Sequence, residues 1–249
     1  MQVKTSGYKI EQIKNTNSFI LSVHHGSLNK KYIYEMYKSI TKTNILSNAF
    51  FYDLNEENEE NEENKENKEN KEKDLMRPNE QTIIFTAENI KPLSTLLKEG
   101  KLTNQMAIKM AHDLSKQIAY LESICLAFYG FELDDILVIN DDIFLIASIK
   151  HLLKIAPDNC LYFYNPMGKP YFPNPELNKL TKLPAKIDYR SSYYSLGALI
   201  LFSLTNIYIF AEEEEDLDHI LEPIYYTKMF WFIRRCFKEK SEERILLFI

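Results

Sequence analysis

The run Asn55–Lys73 is built from Asn, Glu and Lys alone. A stretch with no apolar residue has nothing to bury and cannot offset the entropy of ordering its backbone. It therefore cannot join a core, and it marks a change in the pattern of the chain. Before it, short β-forming segments are separated by turn residues. Beyond it, from Lys91, apolar residues recur at helical spacing. We expect 55–73 to be a disordered insertion within a β-rich part, 1–90, followed by a mainly helical part, 91–249.

In the first part, Tyr8–Lys14 and Ser18–His24 flank the break Asn15-Thr16-Asn17 and predict a hairpin. Lys31–Lys38, KYIYEMYK, follows a Gly26-Ser27 turn and is expected as a third strand, with Phe50–Leu54 as a fourth and Gln81–Thr86 as a fifth. In the second part, Pro92–Lys98 predicts a short helix closed by Gly100. Thr103 can cap a long helix in which Ala107, Ile108, Ala111, Leu114, Ile118 and Leu121 share helical spacing, through about Ile124. Ile136–Ile139 and Ile143–Ile146 read as short strands around Asn140-Asp141-Asp142. Residues 156–187 read as irregular. An apolar helix near 190–208, an acidic link, an aromatic helix at about Ile224–Phe237 and a last helix at about Glu242–Ile249 complete the chain. No βαβ alternation occurs, so the expected class is α+β.

The balance of 30 Lys and Arg against 36 Asp and Glu leaves a net charge of −6, without the basic footprint of a nucleic-acid binder. The three cysteines, Cys125, Cys160 and Cys236, lie far apart, no CxxC pair exists, and the histidines show no zinc-ligand spacing. An odd number of scattered cysteines points to an intracellular, cytoplasmic setting. Ser191–Ala211 carries no charge and is about long enough to span a bilayer. Its Ser, Thr, Asn and Gly content and its place among amphipathic segments favour a central core helix, so no membrane partner is expected.

Several short motifs occur in a telling order. Leu133–Val138, LDDILV, is similar to the catalytic-loop exit PENILV of protein kinases, and Ile143–Ile146 to the strand before their metal-binding DFG. Pro173-Asn174-Pro175-Glu176 resembles their APE motif, Tyr194-Ser195-Leu196-Gly197 the YSLG of their central helix, and Cys236–Arg244 the helix that ends in Asp-Pro-x-x-Arg. The resemblance implies a two-lobed protein-kinase-like fold with a reduced β-rich N-lobe and a helical C-lobe. It also implies a buried structural ion pair between Glu176 and Arg244.

The same resemblance exposes what is missing, since phosphoryl transfer needs metal ligands, a phosphate lysine and an oriented nucleophile. The glycine-rich loop reads Ile13-Lys14-Asn15-Thr16-Asn17. On the expected third strand, Tyr37 or Glu35 takes the lysine position, and Lys38 qualifies only if the register slips by one and turns it to the other face. The short spacing from Lys38 to Phe50 leaves under about three helical turns, so the family's regulatory helix is expected to be absent or reduced. Phe128-Tyr129-Gly130 stands for HRD, Ala147-Ser148-Ile149 for DFG, Glu132 for a phosphate-contacting lysine, and Ser192 for the Asp that anchors the HRD backbone.

The expectation is a catalytically inactive kinase-like domain acting as a protein-binding scaffold. Tyr162-Phe163-Tyr164 and Tyr171-Phe172 are its aromatic interface candidates. Neither a cofactor nor a metal is expected. One alternative is a divergent active Ser/Thr protein kinase, using ATP and Mg2+ through Lys38, Asp134 and Asp135. Another is a structural component of a viral assembly, in host cytoplasm or virion, because the Asn/Ile/Lys-rich composition resembles proteins of large DNA viruses.

Overall fold

The computed structural model describes residues 2–23, 30–52, 82–100, 102–209 and 214–247. The run 55–73 lies outside them, as do His24, Asp53, Leu54 and Gln81 at the ends of expected strands.

The fold is mixed α+β. Strands β1 (Gln2–Lys4), β2 (Tyr8–Gln12), β3 (Ser18–Val23), β4 (Phe50–Tyr52) and β5 (Thr82–Thr86) form one antiparallel sheet in the order β1-β2-β3-β5-β4. The expected β2–β3 hairpin forms, pairing Tyr8 with Val23 and Gln12 with Phe19. Asn15 takes a left-handed conformation at its tip, which Asn tolerates better than other side chains. Along β3 burial alternates residue by residue, so Phe19, Leu21 and Val23 face the core with Tyr8, Ile10, Ile83 and Phe85.

Lys31–Lys38 is not a strand. It belongs to helix α1 (Lys30–Lys42), which packs on the inner face of the sheet. Ile33, Met36, Tyr37 and Ile40 fall at i, i+3, i+4 and i+7, and all four are buried. A two-residue period fits only up to Lys38, whereas the helical stripe continues to Ile40 and decides the outcome. The Tyr37 hydroxyl then accepts the backbone N–H of Val23 at 2.9 Å, tying α1 to the third strand. The expectation that the segment before Phe50 is too short for a helix fails for the same reason: the helix begins before Lys31 rather than after Lys38.

Strand β6 (Ile90–Pro92) leads into α2 (Leu93–Lys98), where Gly100 at φ +66° donates its N–H to the Leu97 carbonyl. Helix α3 (Asn104–Ser123) is capped as expected, with Thr103 Oγ1 accepting the Met106 N–H at 3.2 Å. Strands β7 (Leu126–Phe128), β8 (Ile136–Ile139), β9 (Ile143–Ile146) and β10 (Leu152–Lys154) make two small sheets, β6-β8-β9 and β7-β10.

The segment 156–187 is less irregular than expected. It holds β11 (Cys160–Phe163), the single-turn α4 (Pro175–Asn178) and the start of β12 (Ala185–Asp188), which pairs with β11. The uncharged stretch forms α5 (Ser191–Thr205), buried on almost every side, and no helix among the described residues is long and apolar enough to cross a membrane. The acidic link contains a helix, α6 (Glu214–Leu221), and the aromatic helix is α7 (Lys228–Cys236). The last expected helix does not form. Only a 3-10 turn, Ser241–Glu243, precedes extended chain at Arg244. So short a segment is a marginal helix on its own, and here the Arg244 side chain is drawn inward.

Candidate functional site

Two polar residues on the buried face of α3, Asp113 and Gln117, hold β9 in place. Gln117 accepts the Ile146 N–H at 2.8 Å and donates to the Ile146 carbonyl at 2.9 Å, while Asp113 accepts the Phe144 N–H at 3.3 Å. Gln117 also donates to the Ser39 hydroxyl of α1 at 2.9 Å. These bonds satisfy the open edge of β9, which lies at the side of its sheet.

With β9 fixed, the turn before β8 comes to rest against the residues after β9. Leu133–Asp135 is a 3-10 turn in which Asp135 Oδ2 accepts the Glu132 N–H at 2.9 Å, and the Asp135 carbonyl accepts the Ala147 N–H at 2.8 Å. The β7–β10 pairing places His151 beside Tyr129, whose N–H donates to the His151 carbonyl at 3.0 Å and whose ring meets the imidazole edge-on. His151 Nε2 lies 3.4 Å from Glu132 Oε1 and 3.8 Å from Asp135 Oδ2.

Asp135 and His151 are 5% and 2% exposed. Burial pushes the Asp135 carboxyl up to about 6, against hydrogen bonds from Ser148 and the Glu132 backbone that favour its ionised form. Burial lowers the His151 imidazole to about 4, so the ring is neutral at neutral pH. Neither ring nitrogen has a hydrogen-bond partner among the described residues. Glu132 is less buried and accepts from the Lys150 ammonium at 2.6 Å. It also lines an open groove of about 410 Å3 with Ser94, Leu133, Asp134, Lys169 and Tyr171.

The residues singled out from the sequence fall into three places. Asp134 and Asp135 share this turn, but only Asp135 points inward; Asp134 accepts from the Ser94 hydroxyl. Lys38 sits on α1, half-buried, with its ammonium 4.1 Å above the Tyr34 ring, and Tyr34, Glu35 and Tyr120 are the groups that act on its charge. The strand position proposed for it does not exist. Glu176 and Arg244 meet, with Nη1 to Oε2 at 3.0 Å and Nη2 to Oε1 at 2.7 Å.

His151 was not legible as a site residue. Searching for histidine and cysteine spacing alone passes over a single histidine joined to an i, i+3 pair of acids. Those acids open a strand, and the histidine follows the next strand of the same hairpin.

The start of the chain reaches the residues that follow β9. A Cβ on Gly7 would overlap the side chain of Ser148. Tyr8 is fully buried, and its phenol is raised above the ordinary value by burial and then by the charges of Asp134 and Asp135. Behind the turn, a Cβ on Gly130 would overlap the ring of Pro170. No family model and no curated protein matches the chain.

Proposed function

We propose that the chain is a protein-kinase-like domain that transfers no phosphate and works by binding a protein partner. The element order supports the kinase-like reading: three strands, a helix, three strands, a short and a long helix, a turn and hairpin carrying Asp135 and leading to Ala147 with short strands around them, and then helices. Helix α1 falls between the third and fourth strands, where the family carries its regulatory helix. The bidentate Glu176–Arg244 pair joins the two positions that the resemblance names.

The observation that carries the inactive reading is the close approach of Gly7 to Ser148, at the position of the DFG turn, with no room there for even a Cβ. The start of the chain lies against Ser148, which an ATP–Mg2+ complex would need to approach. With Gln2–Lys4 as the first strand, the loop between the first two strands is Thr5-Ser6-Gly7 rather than Ile13–Asn17, and the third strand, Ser18–Val23, has no lysine. Gly130, at the position of the proton-accepting Asp, has no room for a side chain.

For the binding half, the aromatic segment divides by burial. Phe163 and Phe172 are core residues, while Tyr164 and Tyr171 are 71% and 53% exposed. Rigid, exposed tyrosines are favoured contact residues.

The test has two arms. Incubation with ATP, Mg2+ and generic protein substrates is expected to give no labelled product and no thermal shift. Labelled transfer that disappears in Asp135→Ala would overturn the inactive reading. Partners cross-linked to the wild-type chain are expected to be lost from a Tyr164→Ala/Tyr171→Ala variant of unchanged melting temperature. Their full retention would overturn the assignment of this surface.

A further inference from the structure

We infer that Glu132, Asp135 and His151 form a binding site for one zinc-type divalent ion, with a remaining coordination position open to the groove beside Glu132. The inference does not rest on the kinase-like reading. One ligand atom from each residue lies within 4.8 Å of the others. Of the two spacings from His151 Nε2, 3.4 Å to Glu132 equals the separation of neighbouring ligands around a tetrahedral ion, and 3.8 Å to Asp135 is slightly wider and would close by a small side-chain adjustment. At bond lengths of about 2.0–2.2 Å, tetrahedral zinc sets ligand atoms roughly 3.3–3.6 Å apart. Octahedral Mg2+, with bonds of about 2.0–2.1 Å, would require roughly 2.9 Å between neighbours.

The donor set agrees with the spacing. An imidazole nitrogen favours zinc-type ions over Mg2+ or Ca2+, which take oxygen ligands. Two carboxylates would balance the charge of the ion. The independent sign is His151 itself. It is 98% buried, aimed at both carboxylates, and neither ring nitrogen has a hydrogen-bond partner among the described residues. A buried imidazole without partners is costly to keep, and coordination would use its lone pair.

The ligands are also held before any ion arrives. The 3-10 turn fixes Asp135 through the Glu132 N–H, and the Tyr129–His151 backbone bond anchors the main chain of His151 while the Tyr129 ring packs edge-on against the imidazole. Glu132 opens onto the groove, which provides the route of entry. The one competitor is the Lys150 ammonium on Glu132 Oε1, and at 42% side-chain exposure it can turn to water. With three protein ligands, the fourth position would be filled from the groove by water or by a group of a bound molecule.

The test is calorimetric titration of the metal-free full chain with Zn2+, alongside Co2+ absorption as a report of tetrahedral geometry. One equivalent of Zn2+ should bind and raise the melting temperature, and Co2+ should show the intense visible bands of a four-coordinate site. Glu132→Gln, on the partly exposed side, should weaken Zn2+ at least about tenfold, since even outer partners of metal ligands are worth about 10–100-fold. His151→Gln should abolish binding, and Lys150→Ala should strengthen it several-fold. His219→Ala, which removes an exposed histidine, should leave it unchanged. Should His151→Gln not fold, the Glu132 and Lys150 variants decide. Absence of Zn2+ binding, or binding unchanged by both Glu132→Gln and Lys150→Ala, overturns the site. Mg2+ bound as tightly as Zn2+ overturns the ion class.

Discussion

Arg244 closes on Glu176 with two parallel hydrogen bonds, and its guanidinium is fully buried while the Glu176 side chain keeps 23% of its exposure. Arg244 Nε and Nη2 also donate to the carbonyls of Lys238 and Glu239, and the group lies 5.3 Å from the Tyr194 ring. One side chain thus joins α4, α5 and the C-terminal turn. The planar fork suits this because it satisfies a carboxylate and two carbonyls at once.

The asymmetry in burial sets the first expectation. Glu176→Ala leaves a buried cation without its counter-charge and should cost about 3–5 kcal/mol. Arg244→Ala removes packing and all of these bonds and should cost a similar amount, although the remaining Glu176 can be hydrated. The double variant should lose less than the sum in a denaturant-unfolding cycle. Additive losses below about 1 kcal/mol, typical of surface pairs, would show that the pair does not carry this load.

Gln117 sits at the junction of α1, α3 and β9. Gln117→Leu keeps most of the volume but strands the N–H and carbonyl of Ile146, while the Ser39 hydroxyl keeps its bond to the Met36 carbonyl. Each orphaned buried group costs about 1–3 kcal/mol, so a loss of about 2–4 kcal/mol is expected in urea unfolding. A loss under about 1 kcal/mol would mean that water replaces the amide.

Glu122 is a half-buried acid whose one donor among the described residues is the Tyr193 hydroxyl at 2.8 Å, and its Oε1 has no partner among them. Burial pushes its carboxyl up to about 7 from the usual 4.5, while the Tyr193 bond and the Arg190 charge pull it down. A raised acid destabilises the fold wherever the group must ionise. The penalty is absent below about pH 4.5, grows between 4.5 and 7, and is complete above 7. Glu122→Gln should therefore be more stable than wild type at pH 8, by about 1–3 kcal/mol on the scale of 1.36 kcal/mol per unit. Melting curves of the two proteins should converge as pH falls toward 4.5. A constant difference at all pH values would rule out the titration.

The Tyr8 hydroxyl is buried and has no hydrogen-bond partner among the described residues. Tyr8→Phe removes an unsatisfied group without changing shape and should raise stability by about 1 kcal/mol, or about 2–4 °C in melting temperature. A fall of that size would reveal a partner for the hydroxyl.

The legible parts of this protein are those whose signal lies within one segment. The β2–β3 hairpin follows from two alternating runs around three turn residues. Helix α3 follows from its apolar spacing and the Thr103 cap, and α5 from an uncharged run that has to be enclosed. Helix α1 is ambiguous along the chain because Tyr32, Tyr34 and Met36 alternate as well as Ile33, Met36 and Tyr37 repeat. Two periods competed over eight residues, and packing beneath the sheet chose between them. Strands β7, β10, β11 and β12 are three or four residues each, too short to show a period before their partners are known.

The candidate site divides the same way. Asp135 could be singled out because its motif is continuous in sequence, and Glu176 and Arg244 because each closes a motif of its own. Their meeting across the chain, the burial of His151 beside Glu132 and Asp135, and the approach of Gly7 to Ser148 were decided by tertiary structure alone. Periodicity, capping and turn chemistry act over a few residues and can be read along the chain. Which distant groups share a buried, low-dielectric space depends on how all the segments pack together, and no short stretch of sequence holds that information.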